Sequence, residues 1–233
     1  MTTETELPEL IETRPAPPAL HADDIHIRWV MPEIFHDLPI HERDDDEAVR
    51  LLWDLADKAL PGVGDEDKAR FGVMCALSLN DLAGVGAEYA SVCLTAVDDT
   101  LCTATVLGSL VDSPEADGGV RGVTKEISAG LRRIKAGEVS EVELPCGYAV
   151  SCIGARDSRL TGDLTGTGED ITFPTWYIRV YVPLPNGTTF VLEMETPTMT
   201  GWDVFSTMFG NTVSSIRLYG SDGSRLITTA AGV

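Results

Sequence analysis

Basic residues are scarce in this 233-residue chain. It carries 17 Lys and Arg residues against 37 Asp and Glu residues, which gives a formal net charge of −20. Such an electrostatic field repels phosphate backbones, so nucleic-acid binding is not expected unless a local basic patch overrides it. The best basic cluster is Arg132, Arg133 and Lys135 on one predicted helix, which is too small to do so. The charge instead favours basic or neutral partners.

Long apolar runs are also missing. No run in the sequence approaches the roughly 18 consecutive apolar residues of a membrane-spanning helix. Residues 1–13 contain four glutamates and no Lys or Arg, whereas a secretory leader has a basic start followed by an apolar stretch. We therefore expect a cytoplasmic protein that does not insert into a membrane.

Cysteine motifs and nucleotide-binding motifs are absent as well. The five cysteines, at positions 75, 93, 102, 146 and 152, form no C-x-x-C pair, so zinc-ribbon and thioredoxin-like sites have no support. We predict buried free thiols and no cofactor. The glycine-rich segment Gly162–Gly168 lacks the Lys-Ser/Thr step of a P-loop, and Glu169 and Asp170 after it repel phosphate. No G-x-S-x-G nucleophile elbow occurs.

The segment from Phe173 to Tyr219 gives the clearest fold signal. Apolar residues alternate along two runs that flank the turn Pro185-Asn186-Gly187: Trp176, Ile178, Val180 and Val182, then Phe190, Leu192 and Met194. Period-two alternation around Asn-Gly predicts a β-hairpin with one buried face. A break at Thr196-Pro197 and an amphipathic helix from about Trp202 complete this unit.

Two further helices are predicted in the first half of the chain. The first begins at Asp44–Glu47, where carboxylates suit a helix N-terminus, and ends before Pro61-Gly62. The second runs from Asp65 to about Gly84, and its spacing predicts an inward face made of Ala69, Val73, Ala76, Leu77 and Leu82.

Paired strands and one more helix make up the rest. A hairpin turns at Asp98-Asp99, a third helix runs from about Val120 to Gly137, and two strands then precede a polar loop from Arg156 to Asp170. This order predicts an α+β fold, a mainly antiparallel β-sheet flanked by helices. We expect residues 1–22 to form a disordered, acidic, Pro-rich tail, residues 23–220 a single domain and residues 221–233 a flexible tail.

The C-terminal unit resembles a known fold group. The run Tyr181–Gly187, the strand Phe190–Leu192, the Thr196-Pro197 break and the helix Trp202–Ile216 are similar to the end of actinobacterial proteins with a PsbP-like fold, which the Ran-binding Mog proteins share. The resemblance implies an antiparallel sheet between helices, an α/β/α sandwich, from about residue 25 onward. It also implies a binding or assembly role, since most members are not enzymes. The matching motifs are structural and carry no family site residues onto this sequence.

All four histidines, His21, His26, His36 and His41, fall within 21 consecutive residues beside several aspartates. Imidazole and carboxylate groups are ligands that zinc accepts, so His36 and His41 are candidate metal ligands. Their spacing matches no helical or knuckle arrangement.

Two other features are candidates for contact with a partner. Asp44, Asp45 and Asp46 form an acidic run that either caps a helix or binds a basic partner. Trp202, beside Gly201 near a helix start, is the tryptophan that we expect to be partly exposed, and exposed tryptophans anchor interfaces well.

Together these features predict a non-catalytic protein-binding, adaptor or chaperone-like module, whose concave surface between sheet and helices holds a segment of another protein. One alternative is a small hydrolase or metal-dependent enzyme that uses the His21–His41 region. Another is a structural subunit of a larger assembly. An enzyme should show a polar pocket lined by His36 or His41, an adaptor an apolar groove or patch, and a structural subunit an extensive exposed apolar face.

Overall fold

A seven-stranded antiparallel sheet organises the chain. The structure is a computed structural model that describes residues 12–15, 20–165 and 168–228. Its strands are β1 Thr13–Pro15, β2 Leu20–Ala22, β3 Ile25–Arg28, β4 Val30–Pro32, β5 His36–Asp37, β6 Ala87–Val97, β7 Thr100–Asp112, β8 Glu138–Leu144, β9 Gly147–Leu160, β10 Ile171–Pro183, β11 Thr188–Thr196, β12 Arg217–Gly220 and β13 Arg225–Leu226. Its helices are α1 Asp45–Ala59, α2 Asp65–Gly84, α3 Gly119–Arg133, α4 Gly162–Thr165 and α5 Trp202–Ser214, with a 3₁₀ turn at Met199–Gly201.

The central sheet has the strand order β5-β6-β7-β11-β10-β9-β8, and neighbouring strands are antiparallel. β10 and β11 turn at Asn186-Gly187 as predicted, and Gly187 has a φ of 87°, which a residue without a Cβ adopts freely. β6 and β7 turn at Asp98-Asp99, also as predicted. The structure therefore confirms the α+β fold with a mainly antiparallel sheet.

One face of this sheet carries the main core. Ile178 and Val180 on β10 point to the same side as Leu192 and Met194 on β11, because residues two apart in a strand share a face. α5 and a small sheet of order β13-β12-β3-β2 cover this side. The fully buried side chains of this core include Ile27, Met31, Phe35, Val182, Phe190, Phe205, Ile216 and Leu218.

Helices cover the two ends of the opposite face. α1 and α2 pack over β6 and β7 around a second apolar cluster, whose buried members are Leu38, Leu52, Leu55, Ala59, Cys75, Ala90 and Val92. α3 packs over β8, β9 and β10, where the Tyr177 hydroxyl donates a hydrogen bond to the carbonyl oxygen of Ala136. Helices thus lie on both faces of the sheet, and the middle strands of this second face form the floor of an open groove.

Paired strands extend further than predicted at both ends of the domain. Leu20–Ala22 pairs with β3 and buries Leu20 and Ala22, so the predicted tail boundary at residue 22 lies inside a β-hairpin. Thr13–Pro15 pairs with β4, and Arg225–Leu226 pairs with β12. Strand pairing satisfies these backbone groups in segments whose composition alone suggests a tail. The rest of the two predicted tails, residues 1–11, 16–19 and 229–233, lies outside the described residues.

The predicted polar loop from Arg156 to Asp170 is wrong over its first third. β9 continues to Leu160, and Leu160 pairs with Ile171 at the start of β10. Pairing with a long neighbouring strand overrides the weak strand preference of this polar sequence. The five cysteines are free and buried, as predicted.

Candidate functional site

The helical hairpin α1–α2 carries an exposed apolar surface. Asp44 is the N-cap of α1, and its Oδ1 accepts a hydrogen bond of 2.9 Å from the backbone N–H of Glu47. Its inward stripe is Leu52, Leu55, Ala56 and Ala59. Val49 and Trp53, four residues apart on the helix, lie beside this stripe, and Trp53 is 43% exposed.

α2 exposes a second set of apolar side chains. Cys75 faces the core, together with the partly buried Phe71, Leu79 and Leu82. Of the five residues that the spacing predicts to face inward, three are instead exposed: Val73 at 58%, Leu77 at 50%, and Ala76. Met74 beside them is also exposed. The prediction was wrong because apolar residues occur on both sides of this helix, so periodicity alone does not select the buried side.

The two sets of side chains belong to one surface. The helices run antiparallel in close contact, because a Cβ on Gly72 would lie 4.0 Å from the carbonyl oxygen of Leu52. Lys68 Nζ and Asp57 Oδ1, 2.7 Å apart, join the helices at the next turn. Trp53 follows Leu52 and Val73 follows Gly72, so both flank the line along which the helices pack. We call this surface the apolar face of α1–α2: Val49, Trp53, Val73, Met74 and Leu77.

Carboxylates surround the apolar face. Residues 44–85 contain ten Asp and Glu residues against four Lys and Arg residues. Arg50, Lys68 and Arg70 are held in ion pairs within the hairpin. Four exposed carboxylates of the hairpin form no ion pair with any residue that the structure describes: Asp45, Asp46, Asp65 and Asp81. Of the predicted acidic run, Asp44 is therefore the helix cap, whereas Asp45 and Asp46 are exposed beside the apolar face.

The structure places Trp202 away from this surface. It lies half-buried at the start of α5 and packs against the main core on the other side of the sheet. Its role in partner contact stays a prediction. Trp53, which the residue type suggests to be a core side chain, is the more exposed of the two. A helical wheel of α1 contains the signal that identifies it, because Trp53 lies about 100° from Leu52 around the helix axis.

His36 lines a pocket of about 530 Å³ at the sheet edge, whose wall combines the charged side chains of Arg14, Asp37 and Lys58 with apolar ones such as Phe35 and Leu51. Asp37 Oδ1 accepts hydrogen bonds from Arg14 Nη2, at 2.6 Å, and from the Tyr89 hydroxyl, at 2.7 Å. Burial and the nearby cations Arg14 and Lys58 lower the pKa of His36, so its imidazole is neutral at pH 7. The described residues that line this pocket supply carboxylates and cations but no hydroxyl or thiol.

The remaining histidines do not join His36. His41 Nε2 lies 2.7 Å from the carbonyl oxygen of Glu88, and the rings of His21 and His26 meet edge to face with centroids 4.4 Å apart. Over the described residues, no three His, Cys, Asp or Glu side chains are grouped to hold a metal ion. The pocket of His36 mixes charged and apolar side chains, whereas the hairpin has the exposed apolar patch that an adaptor requires.

Comparison with protein-family models and with curated protein sequences gives no match for this chain. In the described residues, no helix combines the length and apolar character needed to cross a membrane. The function is therefore inferred from the geometry of the molecule.

Proposed function

We propose that the chain is a non-catalytic protein-binding module that acts as an adaptor, with the apolar face of α1–α2 as its docking surface. The observation that carries the proposal is the exposure of five large apolar side chains on one helical hairpin. Half-exposed side chains of this size make a patch on the order of 400 Å², a size that is often functional on a monomer. A cytoplasmic location belongs to the same proposal, and the five free cysteines support it.

The partner that fits this surface is an amphipathic helix with basic flanks. Two antiparallel helices with apolar side chains along their seam offer ridges and grooves for a third helix. Trp53 at the seam is the residue type that most often anchors such contacts. The exposed carboxylates around the seam, among them Asp45, Asp46 and Asp65, attract Lys and Arg on the flanks of the partner helix.

A second copy of this chain fits the surface poorly. Self-association through the apolar face would bring the same carboxylates of two hairpins together, in a protein with a net charge of −20. The structural-subunit alternative predicts self-association instead, and the crosslinking experiment below distinguishes the two.

The resemblance to PsbP-like proteins is part of the proposal. An antiparallel sheet with α5 on one face and α1–α3 on the other supports it, since that group has a sheet between helices. The predicted binding role of that group agrees with an exposed apolar surface.

Site-specific crosslinking in the native host tests the proposal. A photoreactive p-benzoylphenylalanine is placed at Val73 in the apolar face and, as the matched control, at Ile134, an exposed β-branched residue after α3. We expect position 73, and not position 134, to crosslink to one segment of another protein, and mass spectrometry should show that segment to be a basic amphipathic helix. Crosslinking to a second copy of the chain, equal crosslinking from both positions, or none at all would overturn the proposal.

A further inference from the structure

A groove lies on the open middle of the second sheet face, away from the apolar face of α1–α2. It has a volume of about 380 Å³. Its walls include Val85, at the end of α2, and three side chains of the sheet, Leu107, Val111 and Val191. A concave site of this size with apolar walls accommodates a small ligand or the end of a peptide.

Two arginines converge on one buried carboxylate at the floor of the groove. The pairing of β10 with β11 sets Arg179 opposite Glu193, and Arg179 Nε donates a hydrogen bond to Glu193 Oε2. Arg156 on β9 reaches the same residue, with Nη1 3.1 Å from Glu193 Oε1. Glu193 is only 7% exposed, and although Nη1 is close, Oε1 accepts no hydrogen bond of good geometry. A buried carboxylate is costly unless cations compensate it, so Glu193 fixes both guanidinium groups in place.

The aromatic ring of Tyr177 contacts both arginines. The guanidinium carbons of Arg156 and Arg179 lie 5.6 Å and 5.4 Å from the centroid of the Tyr177 ring. Tyr177 is itself fixed, since its hydroxyl donates a hydrogen bond to the Ala136 carbonyl oxygen after α3. The two cations are thus positioned before any ligand arrives, which lowers the entropic cost of binding one.

The two cations are more exposed than the carboxylates that hold them. The side chains of Arg156 and Arg179 are 41% and 30% exposed, whereas those of Glu193 and Glu195 are 9% and 24% exposed. Arg179 uses Nε for Glu193 and Nη1 for the Tyr181 hydroxyl, 3.1 Å away, so Nη2 remains available. Arg156 Nη2 donates a hydrogen bond to Glu195 and Nη1 lies in the ion pair with Glu193, so Nε remains available. These two free nitrogens on fixed guanidinium groups carry three N–H donors, which match the oxygens of an anion.

We propose that this groove binds a carboxylate attached to a short apolar group, with the carboxylate on Arg156 and Arg179 and the apolar group against Val111 and Val191. A phosphate fits less well, because Glu195 accepts a hydrogen bond from Arg156 beside the site and repels a dianion more than a monoanion. The ligand can be a free organic acid or the C-terminal carboxylate of a peptide, since both present the same chemistry.

An NMR titration of the full chain tests this proposal. The probes are 4-phenylbutanoate, its neutral amide, inorganic phosphate, and the peptide acetyl-Ala-Ala-Leu with a free or an amidated C-terminus. We expect both free carboxylates to give saturable shifts of the Tyr181 and Val191 amide signals, and the two amides to give none. The tighter of the free acid and the peptide identifies the source of the ligand.

Variants on one strand provide the matched control. Arg156→Gln should weaken binding of the carboxylate by about tenfold or more, because it removes a charge-assisted hydrogen bond. Arg159→Gln removes an exposed arginine of β9 that pairs with Asp170 and does not line the groove, and should leave affinity within about twofold. Val111→Glu leaves both arginines unchanged but places a carboxylate in the apolar wall, so it should also abolish binding of the carboxylate probes. This variant tests the proposal if Arg156→Gln does not fold. Equal shifts with acid and amide, equal shifts with phosphate, or no saturable shift would overturn the proposal.

Discussion

Replacing Trp53 by alanine tests the docking surface most directly. Trp53 is 43% exposed, which for a side chain of roughly 250 Å² leaves about 100 Å² that a partner can cover. At about 25 cal/mol per Å², covering this area contributes about 2.5 kcal/mol to binding, as an upper estimate. Since about 1.4 kcal/mol changes an equilibrium constant tenfold, Trp53→Ala should raise the Kd up to about sixtyfold.

The assay is isothermal titration calorimetry with the partner segment crosslinked at position 73, synthesised as a peptide. Trp53→Phe keeps an aromatic ring where the two helices meet, so its Kd for the peptide should stay within about tenfold of that of the natural protein. The buried part of the Trp53 ring also stabilises the helical hairpin, so urea unfolding of each variant must show that it is folded under the conditions of the titration.

A specific outcome would refute this reasoning. If Trp53→Ala is folded and its Kd stays within about twofold, the ring is not covered by the partner. If Trp202→Ala then loses binding while remaining folded, the docking surface lies on the opposite face of the sheet, beside α5. That result would favour the tryptophan predicted from the sequence over the one that the structure exposes.

Three further predictions concern stability and reactivity. In urea titrations, Gly201→Ala should lower the free energy of unfolding by about 1–3 kcal/mol, since its Cβ would lie 2.5 Å from the Phe205 ring. Gly210→Ala, which has open space at its Cβ, should instead raise the free energy of unfolding by about 0.5–1 kcal/mol. Because the folded state lowers the pKa of His36 from 6.5, the unfolded state takes up this proton first as pH falls through that range. His36→Gln should therefore flatten the loss of stability from about pH 7 to pH 5, measured by urea unfolding at each pH, and an unchanged pH dependence would contradict this. Burial raises the pKa of Cys93 to about 12, so the native thiols should resist DTNB (5,5′-dithiobis(2-nitrobenzoic acid)) and all five should react after denaturation; rapid native labelling would contradict this.

Features fixed by nearby residues could be predicted from the sequence. The Asn186-Gly187 turn and the alternation on either side of it set both the β10–β11 hairpin and its register. That register places Arg179 opposite Glu193, so the pairing of these two residues could be predicted from the sequence. The burial of the pair could not be predicted, because it depends on Arg156 from β9 and on the helices that flank the groove, all of which are distant in the sequence.

The ends of the domain could not be predicted for a related reason. Leu20–Ala22 is ordered because it pairs with β3, which in turn pairs with β12 near the other end of the chain. A contact between positions almost 200 residues apart leaves no trace in local composition, and Pro-rich, acidic flanks favour a tail.

The inward face of α2 was mispredicted for a reason that bears on function. A surface helix that only covers a core shows one apolar stripe and one polar side. α2 buries Cys75 toward the sheet, yet it also presents Val73 and Leu77 on its outer side, where solvent exposure of large aliphatic groups brings no stability. Apolar residues on both sides of a helix are expected when both sides are covered, the inner by the sheet and the outer by a partner. The ambiguous periodicity of residues 65–84 is therefore the pattern that the proposed docking surface requires. If the proposal holds, substitutions to polar residues at Val73 and Leu77 should weaken partner binding far more than they lower the free energy of unfolding.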